Sequence, residues 1–363
     1  PDNFTAANVI GEWSNGDAPI WNNLHNSYGT PVFGRFHDGN WGAVFGNGWC
    51  NTKDEENGNC TASDGEAGIY VMSINQTTGV PSFVFIGTGE RGTKDDPNGI
   101  AYVTPFDVDG DNIYDYAYAG DIKGNVWRFD LNGNTASSWA SVAPNKLFET
   151  RSNPVNNKRQ PIWSRVVVSQ NRLIGADPII NFGTGIRVNG YLSADDTYAE
   201  GIQSIYGLRD TTAVIRQPFT QVTYAQLQEQ QVTGNKLSTN EIDWGSKKGW
   251  YMNLGKTERS DGKTAYEQVI YDITLQANRY VLVNTYIDAK SATLTCDTTT
   301  QTGYTYPLYT ENGAGLKNFY DGLSTGEAIR KQFNITGSAY VLTLQINGKT
   351  YLVAKDSQGN PIL

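Results

Sequence analysis

Apolar residues come in short runs along this chain, and Gly, Asn, Asp or Pro ends each run. Segments of this kind read as β-strands bounded by turns. They predict strands at 41–45, 68–74, 83–86, 116–119, 125–131, 165–168, 179–182, 280–286 and 340–345. A helical period shows only over 220–232, where Thr223 is placed to cap a short helix ending near Gly234. The expected fold is therefore all-β with one short helix.

The strands recur in a weak pattern. An apolar strand runs into a small-residue turn at Val44-Phe45-Gly46-Asn47-Gly48, at Phe85-Ile86-Gly87-Thr88-Gly89 and at Asn181-Phe182-Gly183-Thr184-Gly185, with a related form at Tyr118-Ala119-Gly120-Asp121. The glycines at 46, 87, 120 and 183 lie 41, 33 and 63 residues apart. Propeller blades of four strands repeat every 40–50 residues or so, and uneven spacing implies long loop insertions. A blade cannot bury both faces alone, whereas a ring of blades does so, with glycines where inner strands crowd. The pattern favours a β-propeller over a pair of β-sandwiches. Residues 1–363 are read as one propeller domain of six to eight blades, with 1–30 either poorly ordered or a segment that closes the ring.

Composition narrows the function classes. Aromatic residues make up 12% and charged residues 18%, so a packed fold is expected rather than disorder. A net charge of −9 without any run of Lys or Arg argues against nucleic acid as a partner. Apolar stretches are too short for a transmembrane helix, so no membrane insertion is expected. The chain opens at Pro1-Asp2-Asn3 without Met and is read as part of something longer. Cys50 and Cys60 bracket a short polar loop, where a disulfide is expected in an oxidising compartment; Cys296 is free or paired elsewhere.

The segment that carries chemistry is Asp107-Val108-Asp109-Gly110-Asp111-Asn112-Ile113-Tyr114-Asp115. Carboxylates fall at loop positions 1, 3, 5 and 9, and position 7, Ile113, can donate its backbone carbonyl. Calcium takes six to eight oxygen ligands, while magnesium demands a tighter octahedron and zinc prefers nitrogen or sulfur. Without a cation, four carboxylates in nine residues repel one another. The expected ligands are Asp107, Asp109, Asp111, the Ile113 carbonyl and Asp115, with Ca2+ as the ion. The loop departs from the helix–loop–helix pattern: Asn112 replaces the Gly of position 6, Tyr118 replaces the Glu of position 12, and the flanks read as strands.

No catalytic constellation accompanies it. His25 and His37 have no ligand-spaced partners and read as structural, and there is no Gly-x-Ser-x-Gly. Gly87-Thr88-Gly89-Glu90-Arg91-Gly92 precedes a loop rather than a helix, so it fails as a dinucleotide motif. The acidic clusters at 54–56, 95–96 and 195–196 read as solvated loops.

The run Phe106–Leu131, with Ala119-Gly120-Asp121-Ile122-Lys123-Gly124-Asn125-Val126-Trp127-Arg128-Phe129-Asp130-Leu131 following the acidic loop, resembles the C-terminal domain of the PilC/PilY family of type IV pilus-tip proteins. Ile180-Asn181-Phe182-Gly183-Thr184-Gly185, Tyr206-Gly207-Leu208-Arg209-Asp210 and Lys248-Gly249-Trp250-Tyr251-Met252-Asn253-Leu254 follow in the family's order, so the resemblance spans roughly 30–350. It implies a modified seven-bladed β-propeller at the C-terminal end of a larger secreted protein, with the same five calcium ligands. It further implies a role in pilus biogenesis, twitching motility and host-cell attachment, at the pilus tip or outer membrane, with calcium modulating pilus extension and retraction. The implied partners are pilins, the assembly machinery and a host-cell receptor. Some members carry an Arg-Gly-Asp motif; this chain has Arg91-Gly92-Thr93, which does not substitute for it. The reading is of a non-enzymatic calcium-binding module. The alternative is an adhesin or lectin propeller that binds glycan or host protein.

Overall fold

A computed structural model of the chain describes residues 9, 11–14, 17–24, 26–49, 65–93, 96–151, 158–170, 177–187, 199–258, 262–287, 303–320, 326–333, 340–346, 349–355 and 361–362. Cys50, Cys60 and Cys296 lie outside these residues, as do His25, Asp95 and the clusters at 54–56 and 195–196. The expected disulfide therefore lies outside the described residues.

The described residues are almost entirely β-structure, and the chain divides into two compact units. The first covers residues 1–121 and 127–144. Its first sheet holds β1 (Val32–Arg35), β2 (Trp41–Gly46), β4 (Glu66–Ile74) and β5 (Pro81–Arg91), in the order β1-β2-β4-β5. The short strands β3 (Gly48–Trp49) and β6 (Gly99–Ile100) pair with each other. β7 (Val103–Phe106), β8 (Tyr116–Gly120) and most of β9 (Asn125–Asp130) complete the unit. β4 lies between two strands and is buried on both faces, which explains its unbroken apolar run Ala67–Met72. Ile69, Val71, Ile86, Val103, Phe129 and Trp139 belong to one core.

The second unit covers residues 122–126 and 145–363. One of its sheets has five strands, ordered Val167–Gln170, Pro178–Gly183, Ser204–Arg209, Gly249–Asn253 and Leu227–Gln230. A four-stranded sheet follows, from Thr274–Gln276 through Tyr280–Asn284 and Gly303–Tyr309 to Lys331–Phe333. A three-stranded sheet closes the chain, from Tyr340–Ile346 through Lys349–Lys355 to Pro361–Ile362. Crowding explains the recurring glycines: a Cβ at Gly46 would lie 2.2 Å from the Ile100 carbonyl oxygen, and one at Gly183 would lie 2.4 Å from Val269 Cβ.

Two local expectations are corrected. The helix expected over 220–232 is a single 3-10 turn, Tyr224–Gln226, capped by Thr223 as anticipated, and the chain then extends as Leu227–Gln230. That strand pairs in parallel with Gly249–Asn253, and Lys247 Nζ donates to the Ala225 and Leu227 carbonyls. Tertiary pairing thus overrides the intrinsic helical preference of the Ala, Leu, Gln and Glu residues here. The helix instead is α1, Ala136–Ser141. Thr135 and Ser138 form its capping box, and Trp139 pins it to the core with Nε1 donating to the Gly133 carbonyl. The strand expected at 165–168 is shifted to Val167–Gln170, because the Arg165 amide donates to Asp272 Oδ1 instead of to a neighbouring strand.

Candidate metal centre

β7 ends at Phe106 and β8 begins at Tyr116, so the acidic segment is the connection of an antiparallel hairpin. The Asp115 amide donates to the Phe106 carbonyl and closes it. Within the loop two residues take the left-handed conformation, Gly110 with φ 85° and Asn112 with φ 67°. Asn is one of the few side-chain-bearing residues that adopt this region readily, which is why it can stand where helix–loop–helix sites use Gly.

The carboxylates organise the loop backbone. Asp107 Oδ1 accepts from the Gly110 amide and Oδ2 from the Asn112 amide, both at 2.7 Å. Asp109 Oδ1 accepts from the Asp111 amide at 3.3 Å, and Asp111 Oδ1 from the Ile113 amide at 2.8 Å. Asp115 is fully buried; its Oδ2 accepts from the Val108 amide at 2.8 Å, and its Oδ1 lies 3.1 Å from His37 Nε2. Curling the chain this way brings one carboxylate oxygen each from Asp107, Asp109 and Asp115 within 4.8 Å of one another. Asp111 is not in that group; it is exposed. Ile113 is half-buried and bridges to Arg35.

The donor set is hard oxygen throughout, which fits an alkaline-earth cation and not a soft metal. The local field is negative: burial first, then the Asp107 charge, pushes the Tyr114 phenol above its usual range.

The support for the loop comes from β1 and the turn after it. The Tyr114 amide donates to the Arg35 carbonyl at 3.0 Å, and the Tyr114 hydroxyl donates to the Phe33 carbonyl at 3.0 Å. Gly34, between them, leaves room for the Tyr114 ring, which a Cβ there would meet at 2.1 Å. On the other side the Asp115 carbonyl accepts from the Leu131 amide and from Asn132 Nδ2. His37, which the sequence reads as structural, is the neighbour of Asp115 that sequence spacing does not reveal. It stands 78 residues from Asp115 in the chain, and no local spacing connects the two.

Comparison with known proteins places this hairpin in a family. A family model described as the PilY1 beta-propeller domain matches residues 6–241, which include the whole acidic loop. A type IV pilus biogenesis factor PilY1 homolog of Xylella fastidiosa is 26% identical over 270 residues, covering 70% of this chain and 17% of its own length. The type IV pilus biogenesis factor PilY1 of Pseudomonas aeruginosa is 28% identical over 286 residues, covering 68% of this chain and 23% of its own length. The chain thus spans about a fifth of these relatives. The crystal structure of the Pseudomonas aeruginosa PilY1 C-terminal domain superposes with a TM-score of 0.66 at 20% identity, over 94% of this chain and 72% of that one. That likeness establishes the β-propeller fold.

Proposed function

The chain belongs to the PilY1 β-propeller family, and from that premise we propose that it is a calcium-binding, non-enzymatic propeller of a type IV pilus biogenesis protein. The observation that carries the calcium reading is the convergence of Asp107, Asp109 and Asp115 in a hairpin loop whose backbone their own oxygens hold in shape. Asp111 and the Ile113 carbonyl complete the ligand set. Each residue has a defined part. Asp115, held by Val108 and His37, is the buried anchor; Asp107 fixes the turn through Gly110 and Asn112; Asp109 presents an exposed carboxylate. A bound calcium supplies the positive charge that cancels the repulsion among these groups.

Through Tyr114 and Asp115 the loop is tied to β1, β7 and the start of the segment after β9. Occupancy therefore favours one arrangement of that surface by mass action. We assign to that surface the binding of pilins or assembly machinery at the pilus tip, in support of pilus biogenesis, twitching motility and attachment to host cells. Among the described residues no helix is long and apolar enough to cross a membrane. The test uses the full-length protein in its own bacterium. With Asp115→Asn, surface pili and twitching should fall at normal protein levels, and calcium depletion should reproduce the loss in wild type. Normal piliation of the variant would contradict the proposal.

A second reading, as a glycan- or host-protein-binding adhesin, is favoured by two aromatic side chains. Phe33 and Trp41, on adjoining strands β1 and β2, are 66% and 54% exposed. Binding of the isolated chain to a glycan array, lost in Trp41→Ala, would support it.

A further inference from the structure

The second unit contains a cleft of about 220 Å³ lined by Arg209, Thr211, Thr212, Phe219, Thr220, Val222, Gln226 and Lys248. The geometry points to a carboxylate-binding site, selective for a monoanion that carries a small apolar group. This reading is independent of the calcium loop, because every lining residue lies in the second unit.

The cleft is built on fixed backbone. Arg209 and Lys248, two of its lining residues, are joined by the Arg209 amide donating to the Lys248 carbonyl at 2.9 Å. The Lys248 amide in turn donates to the Gln226 carbonyl at 2.7 Å. One wall is the turn after Asp210, whose Oδ1 accepts from the amides of Thr212 and Ala213 and from the Thr212 hydroxyl. The other wall is fastened at both ends: the Phe219 amide donates to Asn145 Oδ1 and the Val222 amide to the Leu147 carbonyl, both at 2.8 Å. A site held this way loses little entropy when a ligand binds.

The chemistry of the lining selects the ligand. Arg209 donates Nε and Nη2 to Asp177 Oδ2 at 2.9 and 2.7 Å, so its charge is already balanced. Lys248, which also lines the cleft, forms no ion pair among the described residues, and the Asp210 carboxylate in the wall already accepts three hydrogen bonds at Oδ1, so Lys248 is the cation left to meet an anion. The Thr211 and Thr220 hydroxyls and the Gln226 amide Nε2 are donors that likewise bond no described residue. One cation and several neutral donors match a carboxylate better than a dianionic phosphate, which would carry a second charge into a site with a single compensating cation. Phe219 and Val222 form an apolar wall suited to a short hydrocarbon group. At roughly 30 Å³ per water the volume corresponds to about seven waters, enough for a small acid or the last residue of a chain. On a protein of net charge −9, a site for an anion is a local inversion of the overall field.

Two sources share this chemistry, a free small acid and the C-terminal carboxylate of a polypeptide. The test is titration of the whole chain with N-acetyl-leucine, with N-acetyl-leucinamide, and with a hexapeptide ending in a free leucine carboxylate. The acid should bind in the millimolar range, the amide about tenfold more weakly, and added salt should weaken the acid alone. Lys248→Gln and, separately, Thr220→Val should each weaken the acid several-fold at unchanged melting temperature. Lys256→Gln, a loss of charge on the exposed strand Lys256–Glu258, should leave it unchanged. A hexapeptide that binds more tightly than the acid supports the site with a chain end as the source. An acid at least as tight supports it with a free acid as the source. Equal binding of acid and amide, no binding of either, or indifference to both substitutions in the cleft would overturn it.

Discussion

Asp115 has two jobs that a single substitution can separate. It is a proposed ligand and also the buried acceptor for the Val108 amide. Asp115→Asn keeps an acceptor oxygen and removes the charge, whereas Asp115→Ala leaves a buried N–H without its partner. In chelator, Asp115→Ala should lower unfolding stability by about 1–3 kcal/mol and Asp115→Asn by clearly less, measured by urea denaturation. Asn112, at φ 67°, gives a second check. Asn112→Ala should cost about 1–2 kcal/mol, the penalty for a side-chain-bearing residue in the left-handed region, while Asn112→Gly should cost little. Equal effects of Ala and Gly would show that the backbone conformation does not matter there. The convergence of Asp107, Asp109 and Asp115 was legible from spacing alone, because it is built within one loop, whereas Asp111 was expected beside them and lies outside the group. The place of His37 was not legible, because only the fold brings its ring to Asp115.

At the scale of elements, β1 and the turn that follows it form the wall behind the acidic loop. Gly34→Ala should push the Tyr114 ring away without touching any ligand, and calcium should then bind about tenfold more weakly by titration calorimetry. Unchanged affinity would show that β1 does not shape the site. In the second unit, burial and neighbouring tyrosines push the Tyr206 phenol well above its usual value, and burial pushes Tyr224 up to about 12. The sign follows from linkage. The unfolded chain loses these protons near pH 10 while the folded chain keeps them, so the contribution of these two groups to stability is constant below pH 10 and is lost between pH 10 and about 12. Urea midpoints across that range should decline, more steeply than in a Tyr224→Phe variant. The strands were legible because apolar runs and turn residues encode them directly. The helix over 220–232 was misread: Leu227–Gln230 gains a parallel partner from residues 249–253, information that no local window contains. α1 was overlooked because six residues carry less than two full turns of periodicity, although Thr135 and Ser138 mark its start.

For the molecule as a whole, the all-β propeller was legible from recurring strand-and-glycine turns, and the family match agrees with it. Blade number is less so. Among the described residues five sheets have three or more strands, and uneven repeat spacing gives no independent count against the expected seven. If calcium binds the folded loop and not the unfolded chain, its effect is global for the first unit. At calcium a hundredfold above Kd the gain is about 2.7 kcal/mol, which should raise the melting transition containing that unit by roughly 5–10 °C. Magnesium at the same concentration should raise it far less.

We propose that Asp107, Asp109 and Asp115, with Asp111 and the Ile113 carbonyl, hold one calcium. Calorimetric titration of calcium into the chelator-treated chain tests it most directly, beside Asp107→Asn and Asp115→Asn variants shown to be folded by circular dichroism. The wild type should show a single site per chain, and neither variant should show measurable binding. Absence of binding in the wild type, or binding that survives both substitutions, would contradict it.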